Sequence, residues 1–129
     1  MAKGDFPHVA VNKAKEAVKK LYPHSPYLDY CLELVDKAQN LAQPEDEQEA
    51  LSDLEAIKML GEGWVAEETL AIALYCSLKY LDDENGFEKA IVASVNHDGD
   101  SDSTGAVTGN IMGAVLGIKN IPQKFIEGL

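Results

Sequence analysis

Apolar residues recur along this chain at intervals of three and four almost everywhere, while strict alternation of apolar and polar positions appears almost nowhere. That periodicity predicts an all-α fold. Over residues 12–22, Ala14, Val18, Leu21 and Tyr22 share one side and lysines the other, an amphipathic surface helix ended by Pro23. Residues 27–42 place Leu28, Cys31, Leu32, Val35, Ala38 and Leu41 at helical spacing before Gln43-Pro44. The acidic segment PEDEQEALSDLEAIKML predicts a helix opening at Pro44, with carboxylates near its N-terminus and Leu51, Leu54, Ile57 and Leu60 on its buried side. After the break at Gly61 and Gly63, residues 64–80 (WVAEETLAIALYCSLKY) are apolar enough to predict a central helix. A solvated turn over 82–86 leads into a buried helix over 87–96. Another helix follows from Ser103 to about Leu116, and Ile121-Pro122 starts a short last one.

Within that penultimate helix, Gly105, Gly109, Gly113 and Gly117 stand four apart and fall on one slowly drifting stripe. An interior glycine costs roughly 0.5–1 kcal/mol relative to alanine, so the stripe predicts another backbone crossing at short range. In lipid the same spacing pairs helices, but this apolar run falls short of the roughly 20 residues that a membrane span needs.

A length of 129 residues suits one all-α domain over 1–129, able to hide roughly two-thirds of its unfolded surface. The net charge of -11, from 22 acidic and 11 basic residues, repels phosphate backbones and anionic headgroups, which argues against nucleic acid and membrane as partners. Lys13, Lys15, Lys19 and Lys20 cluster without interleaved aromatics and read as a solvated face. Cys31 and Cys76 sit among apolar residues as small buried hydrophobes, with no CxxC pair or zinc spacing, a usage that favours a reducing, cytoplasmic setting. The N-terminal MAKGDFPHVA has no continuous apolar core of the secretory kind.

The chemistry concentrates in NHDGDSDSTG. Asp98, Asp100 and Asp102 are two apart, so on a regular helix they point in different directions, whereas in a curled loop they converge. Converging carboxylates repel one another strongly unless a cation lies among them, and oxygen-only ligands select a hard ion. The spacing matches the start of an EF-hand calcium loop, but Ser103 and Gly109 stand where that loop needs glycine and glutamate, so the EF-hand is rejected. The residues by themselves leave two readings open: a metal site, or a turn at Asp98-Gly99 with Asp102 or Ser103 capping a helix that begins near Thr104.

The segments GEGWVAEETLAIALYCSLKY and FEKAIVASVNHDGDSDSTGAVTGNIMGAVLG, with the later IP, resemble the C-terminal part of the ADP-ribosylglycohydrolase family, densely over residues 61–117. The resemblance implies an all-α fold holding a pair of Mg2+ ions, or Mn2+ in some members, that grip ADP-ribose hydroxyls while a glycosidic bond is hydrolysed. Asp100, Asp102 and Ser103 align with the family's Asp-x-Asp-[Ser/Thr] metal ligands. Asp98 is then a turn or outer residue and His97 a loop or outer group, while Trp64, Glu67 and Glu68 match a GW-x-x-EE block that reads equally well as a helix start with a packing indole.

The family also carries a Thr-Asp-Asp segment that this sequence lacks, since its only paired aspartates, Asp82 and Asp83, follow leucine downstream of the GW block. The expectation is therefore a fragment carrying half of a metal site and inactive alone, with its catalytic acid or base unassigned. ADP-ribose or an ADP-ribosylated substrate belongs to the parent protein. Uncovered apolar surface predicts self-association, or association with the missing half. The rival expectation is a non-catalytic helical interaction module with an exposed apolar groove, and a third is a two-chain enzyme.

Overall fold

The structure is a computed structural model that describes residues 5–127. Residues 1–4 and 128–129 lie outside it, and with them the start of the segment read for a secretory signal and the end of the last predicted helix. Seven α-helices and two short 3-10 turns are present, with no strand among the described residues. The helices are α1 (Asp5–Leu21), α2 (Leu28–Ala42), α3 (Asp53–Leu60), α4 (Ala66–Tyr80), α5 (Gly86–Val95), α6 (Ser101–Leu116) and α7 (Gln123–Glu127). No described helix is long and apolar enough to cross a membrane.

The most apolar segment lies at the centre, as its composition predicts. Ala71, Ile72, Ala73, Tyr75 and Cys76 of α4 are wholly buried, and α2, α3, α5 and α6 pack around it. The amphipathic α1 lies outside on α2, where Lys15 pairs with Asp36 and reaches Gln39 at 3.0 Å. Among the described residues it already runs from Asp5 rather than from Asn12, with Pro7 near that end. Cys76 is buried as expected, and burial pushes its thiol up to about 12. Cys31 is only half-buried, with its thiol pushed up by burial and then by the nearby Glu67 charge.

Two expectations about local structure are corrected. The helix predicted from Pro44 begins only at Asp53, after a 3-10 turn over Glu47–Glu49 capped by Asp46, whose Oδ1 accepts from Gln48 N. The start is set by a reciprocal cap. Ser52 Oγ accepts from Glu55 N at 3.3 Å, and Glu55 Oε2 accepts from Ser52 N at 3.1 Å. We expect Ser52→Ala to lower stability by about 1 kcal/mol, read as a shift in urea midpoint at unchanged slope.

The glycine stripe does not meet a crossing backbone. A Cβ on Gly105 would lie 2.7 Å from Val95 Cγ1, but on Gly109 and Gly113 its nearest neighbours would be Ile91 Cδ1 at 3.7 Å and Ile121 Cδ1 at 3.8 Å. Branched side chains from α5 and from the segment before α7 cover the stripe, and only Gly105 has no room for a methyl group. The close backbone approaches occur elsewhere, at Gly86 against the Tyr80 carbonyl and at Gly99 against Glu62.

Candidate metal centre

The three predicted ligands stand at the start of α6, which opens two residues earlier than the glycine pattern suggests. Asp100, rather than Asp102 or Ser103, is the N-cap: its Oδ1 accepts from Ser103 N at 3.2 Å, and its Oδ2 accepts from Ser103 Oγ at 2.7 Å. Asp102 is exposed in the first turn, and Asp98 is exposed in the preceding bend. The structure thus brings Asp100 and Ser103 into contact and turns Asp98 outward. Among the described residues no three His, Cys, Asp or Glu side chains come close enough together to hold an ion by themselves.

The loop before α6 is fixed by a second loop, the Gly61–Gly63 turn between α3 and α4. Glu62 contributes its carbonyl, which accepts from Asp100 N at 2.7 Å. Glu62 and Gly63 are in turn held by Glu68 Oε1, which accepts from their N–H groups at 2.9 and 3.2 Å, while Thr69 Oγ1 donates to the Gly63 carbonyl at 2.7 Å. The positive φ angles of Gly61 (+128°) and Gly63 (+83°) let the chain turn this tightly. At Gly61 the Glu68 side chain fills the space of any Cβ, and at Gly63 the Thr104 methyl lies 3.0 Å from it. Glu68 therefore clamps the turn that positions Asp100.

Two further groups complete the loop. His97 Nδ1 accepts from Gly99 N at 3.1 Å, and its Nε2 lies 2.9 Å from Thr104 Oγ1. Thr104, wholly buried, donates to the Ser94 carbonyl at 2.6 Å and joins α6 to the end of α5. Trp64 is 66% exposed, so the packing role allowed for its indole is not what the structure shows. Glu62, Thr69 and Thr104 escape sequence reasoning, because all three ties end on main-chain carbonyls, those of Glu62, Gly63 and Ser94, which have no side-chain signature.

The donors fit a hard divalent cation as a partial set: the Asp100 carboxylate, a hydroxyl in contact with it, and the exposed Asp102 carboxylate in the same first turn, all oxygen. Fold and donor set together define an all-α protein that presents oxygen-bearing side chains from one buttressed helix start. The chain belongs to the ADP-ribosylglycohydrolase family, which it matches over residues 2–129. It is 27% identical over 123 residues to ADP-ribosylhydrolase ARH3 of Mus musculus, covering 90% of this chain and 30% of that protein. Against the Homo sapiens ARH3 it is 25% identical over 123 residues, covering 90% and 31%. Against the Bos taurus ARH3 it is 28% identical over 86 residues, covering 61% and 24%. The chain spans less than a third of the length of these curated relatives. No solved structure gives a significant match.

Proposed function

We propose that this chain supplies the Asp-x-Asp-Ser part of the divalent-metal centre of an ADP-ribosyl hydrolase, as one all-α unit over residues 1–129, with Asp100, Asp102 and Ser103 as ligands for Mg2+ or Mn2+. The observation that carries the reading is the Asp100–Ser103 oxygen pair, held at the head of α6 by the Asp100 N–H to Glu62 carbonyl bond. Family membership and the ADP-ribosylhydrolase relatives support the substrate class, an ADP-ribosylated group.

In this role Asp100 and Asp102 supply negative charge, while Ser103 turns its hydroxyl so that a lone pair, rather than the proton now donated to Asp100, faces the cation. A divalent ion supplies fixed positive charge for holding sugar hydroxyl oxygens. Glu68 and Glu62 keep Asp100 in register without touching the reacting atoms. The acid or base of the hydrolysis is assigned to none of this chain's residues.

The test is calorimetric titration of Mg2+ and Mn2+ into the chain and into an Asp100→Asn, Asp102→Asn double variant, each with and without ADP-ribose. Weak binding that disappears in the variant is expected, since the ligand set is incomplete. Equal heats in both proteins would overturn the assignment.

A second reading rests on a different observation. Val18, Tyr22, Tyr27, Leu28, Cys31 and Leu70 line a groove of about 260 Å³ between α1, α2 and α4, with Tyr22 and Tyr27 more than 60% exposed. On this reading the chain is a non-catalytic helical module that takes a second copy, or another segment of the fold, on that face. A chain that self-associates through this face yet shows no metal heats would favour it.

A further inference from the structure

We infer that His97 is a positioning residue for the Asp100 ligand, acting through the Gly99 amide; the inference rests on the metal reading just given. Its imidazole bridges two unlike parts of the molecule. On one side is Thr104 Oγ1, buried between α5 and α6 and committed as a donor to the Ser94 carbonyl at 2.6 Å. On the other is the N–H of Gly99, the residue immediately before Asp100.

The hydrogen bonds define the tautomer. Gly99 N donates, so Nδ1 carries a lone pair, and the ring proton is on Nε2. Thr104 Oγ1, whose own proton goes to Ser94, accepts that Nε2–H at 2.9 Å. The ring is therefore a directed strut running from a buried helix pair to the loop. Gly99 offers it no other handle, because a side chain there would collide with the Glu62 backbone. Asp100 follows directly, with its own N–H on the Glu62 carbonyl and its carboxylate on Ser103. Two successive amides thus set where the ligand carboxylate stands, one held by His97 and one by Glu62. Ser101 Oγ adds a longer bond of 3.3 Å to the His97 carbonyl, so the main chain of this residue also serves the start of α6.

The strut predicts which replacements succeed. Asparagine places an acceptor oxygen near the position of Nδ1 and can keep the Gly99 bond while losing Thr104. Glutamine places a donor near Nε2 and can keep Thr104 while losing Gly99. A residue that served only to hold α5 against α6 would be replaced better by glutamine.

The experiment measures Mn2+ affinity by water-proton relaxation in the full chain and in His97→Ala, His97→Asn and His97→Gln, beside Gly99 amide hydrogen exchange in the metal-free proteins. Alanine and glutamine are expected to weaken Mn2+ binding about tenfold, and asparagine to stay within about threefold of the parent, as for groups that orient ligands from outside the coordination sphere. Gly99 exchange should quicken in the alanine and glutamine variants and not in the asparagine variant. Glutamine equal to or better than asparagine, or three variants binding as the parent does, would overturn the positioning role while leaving the metal reading intact. A parent chain that takes up no Mn2+ would overturn the metal reading and the positioning role with it.

Discussion

Asp53→Ala is expected to destabilise the fold by about 2–3 kcal/mol, measured by urea unfolding. Asp53 opens α3 and receives three donors from α4: Tyr75 OH at 2.7 Å and Lys79 Nζ at 2.6 Å on Oδ1, and Tyr80 OH at 2.5 Å on Oδ2. Lys79 also donates to Tyr75 OH at 3.1 Å and lies over both rings, 5.6 and 5.4 Å from their centroids. Tyr75 is wholly buried, and the Lys79 and Asp53 side chains are 29% and 28% exposed. Truncation would leave a cation without its partner and a buried phenol without its acceptor. The residual exposure keeps the loss below that of a fully buried pair. Asp53→Asn, which keeps the shape and one acceptor, should cost about half as much.

The same cluster gives the stability a defined pH dependence. Burial alone would raise the Asp53 carboxyl, but the hydrogen bonds from Lys79, Tyr80 and Tyr75 outweigh it and hold the group below the usual carboxylate range. Burial and then the bond to Asp53 push both phenols upward. With the folded value depressed, the unfolded chain takes up the proton first. The stabilisation is therefore complete above the unfolded carboxylate pKa of about 3.9 and is lost as pH falls from there through the folded value. The stability gap between the parent and Asp53→Asn should close over that acidic window and be constant near neutrality. A gap unchanged down to the acid transition would show that the charge contributes nothing.

Helix identity was legible because burial follows periodicity. The apolar run Ala71–Leu78 had to lie at the centre, but α1 departs from its predicted faces: Lys15 turns onto α2, while Ala14, Leu21 and Tyr22 are exposed. The head of α3 was not legible from charge: the Glu45–Glu49 acids suit a helix start, but the Ser52/Glu55 pair closes the cap further along. The Asp53 cluster was hidden for a related reason, since Tyr75 and Tyr80 in an apolar helix read as packing, and their hydroxyls show a purpose only once α3 is placed. At the candidate site, spacing singles out Asp98, Asp100 and Asp102, and the set Asp100, Asp102 and Ser103 comes from the family resemblance. The choice of cap was missed because it depends on the Glu62 carbonyl, a main-chain group from a distant turn. Glycine spacing misled for the opposite reason. A stripe shows where room exists, whereas Gly99, in no stripe at all, is where two backbones meet.

Gly99→Ala should therefore be the most damaging single methyl group among the described glycines. A Cβ there would overlap the Glu62 carbonyl oxygen and lie 2.6 and 2.8 Å from its carbonyl carbon and Cα, all of them backbone. Glu62 has nowhere to retreat: its N–H is on Glu68, the next N–H is on the same carboxylate, the Gly63 carbonyl is on Thr69, and the Gly61 N–H is tied to the Ile57 carbonyl at 3.1 Å. The aspartate loop must yield instead, and in moving it gives up the Asp100 N–H to Glu62 bond and the Gly99 N–H to His97 bond together. A loss of about 2–3 kcal/mol in urea unfolding is expected from the overpacking, with Mn2+ affinity reduced more than about tenfold as Asp100 leaves its register. Gly109→Ala is the matched control, because its Cβ would meet nothing nearer than Ile91 Cδ1 at 3.7 Å and α6 loses an interior glycine. That variant should be at least as stable as the parent. If the two alanine variants unfold alike, the two loops are not in the contact described, and the positioning of Asp100 by the Gly61–Gly63 turn falls with it.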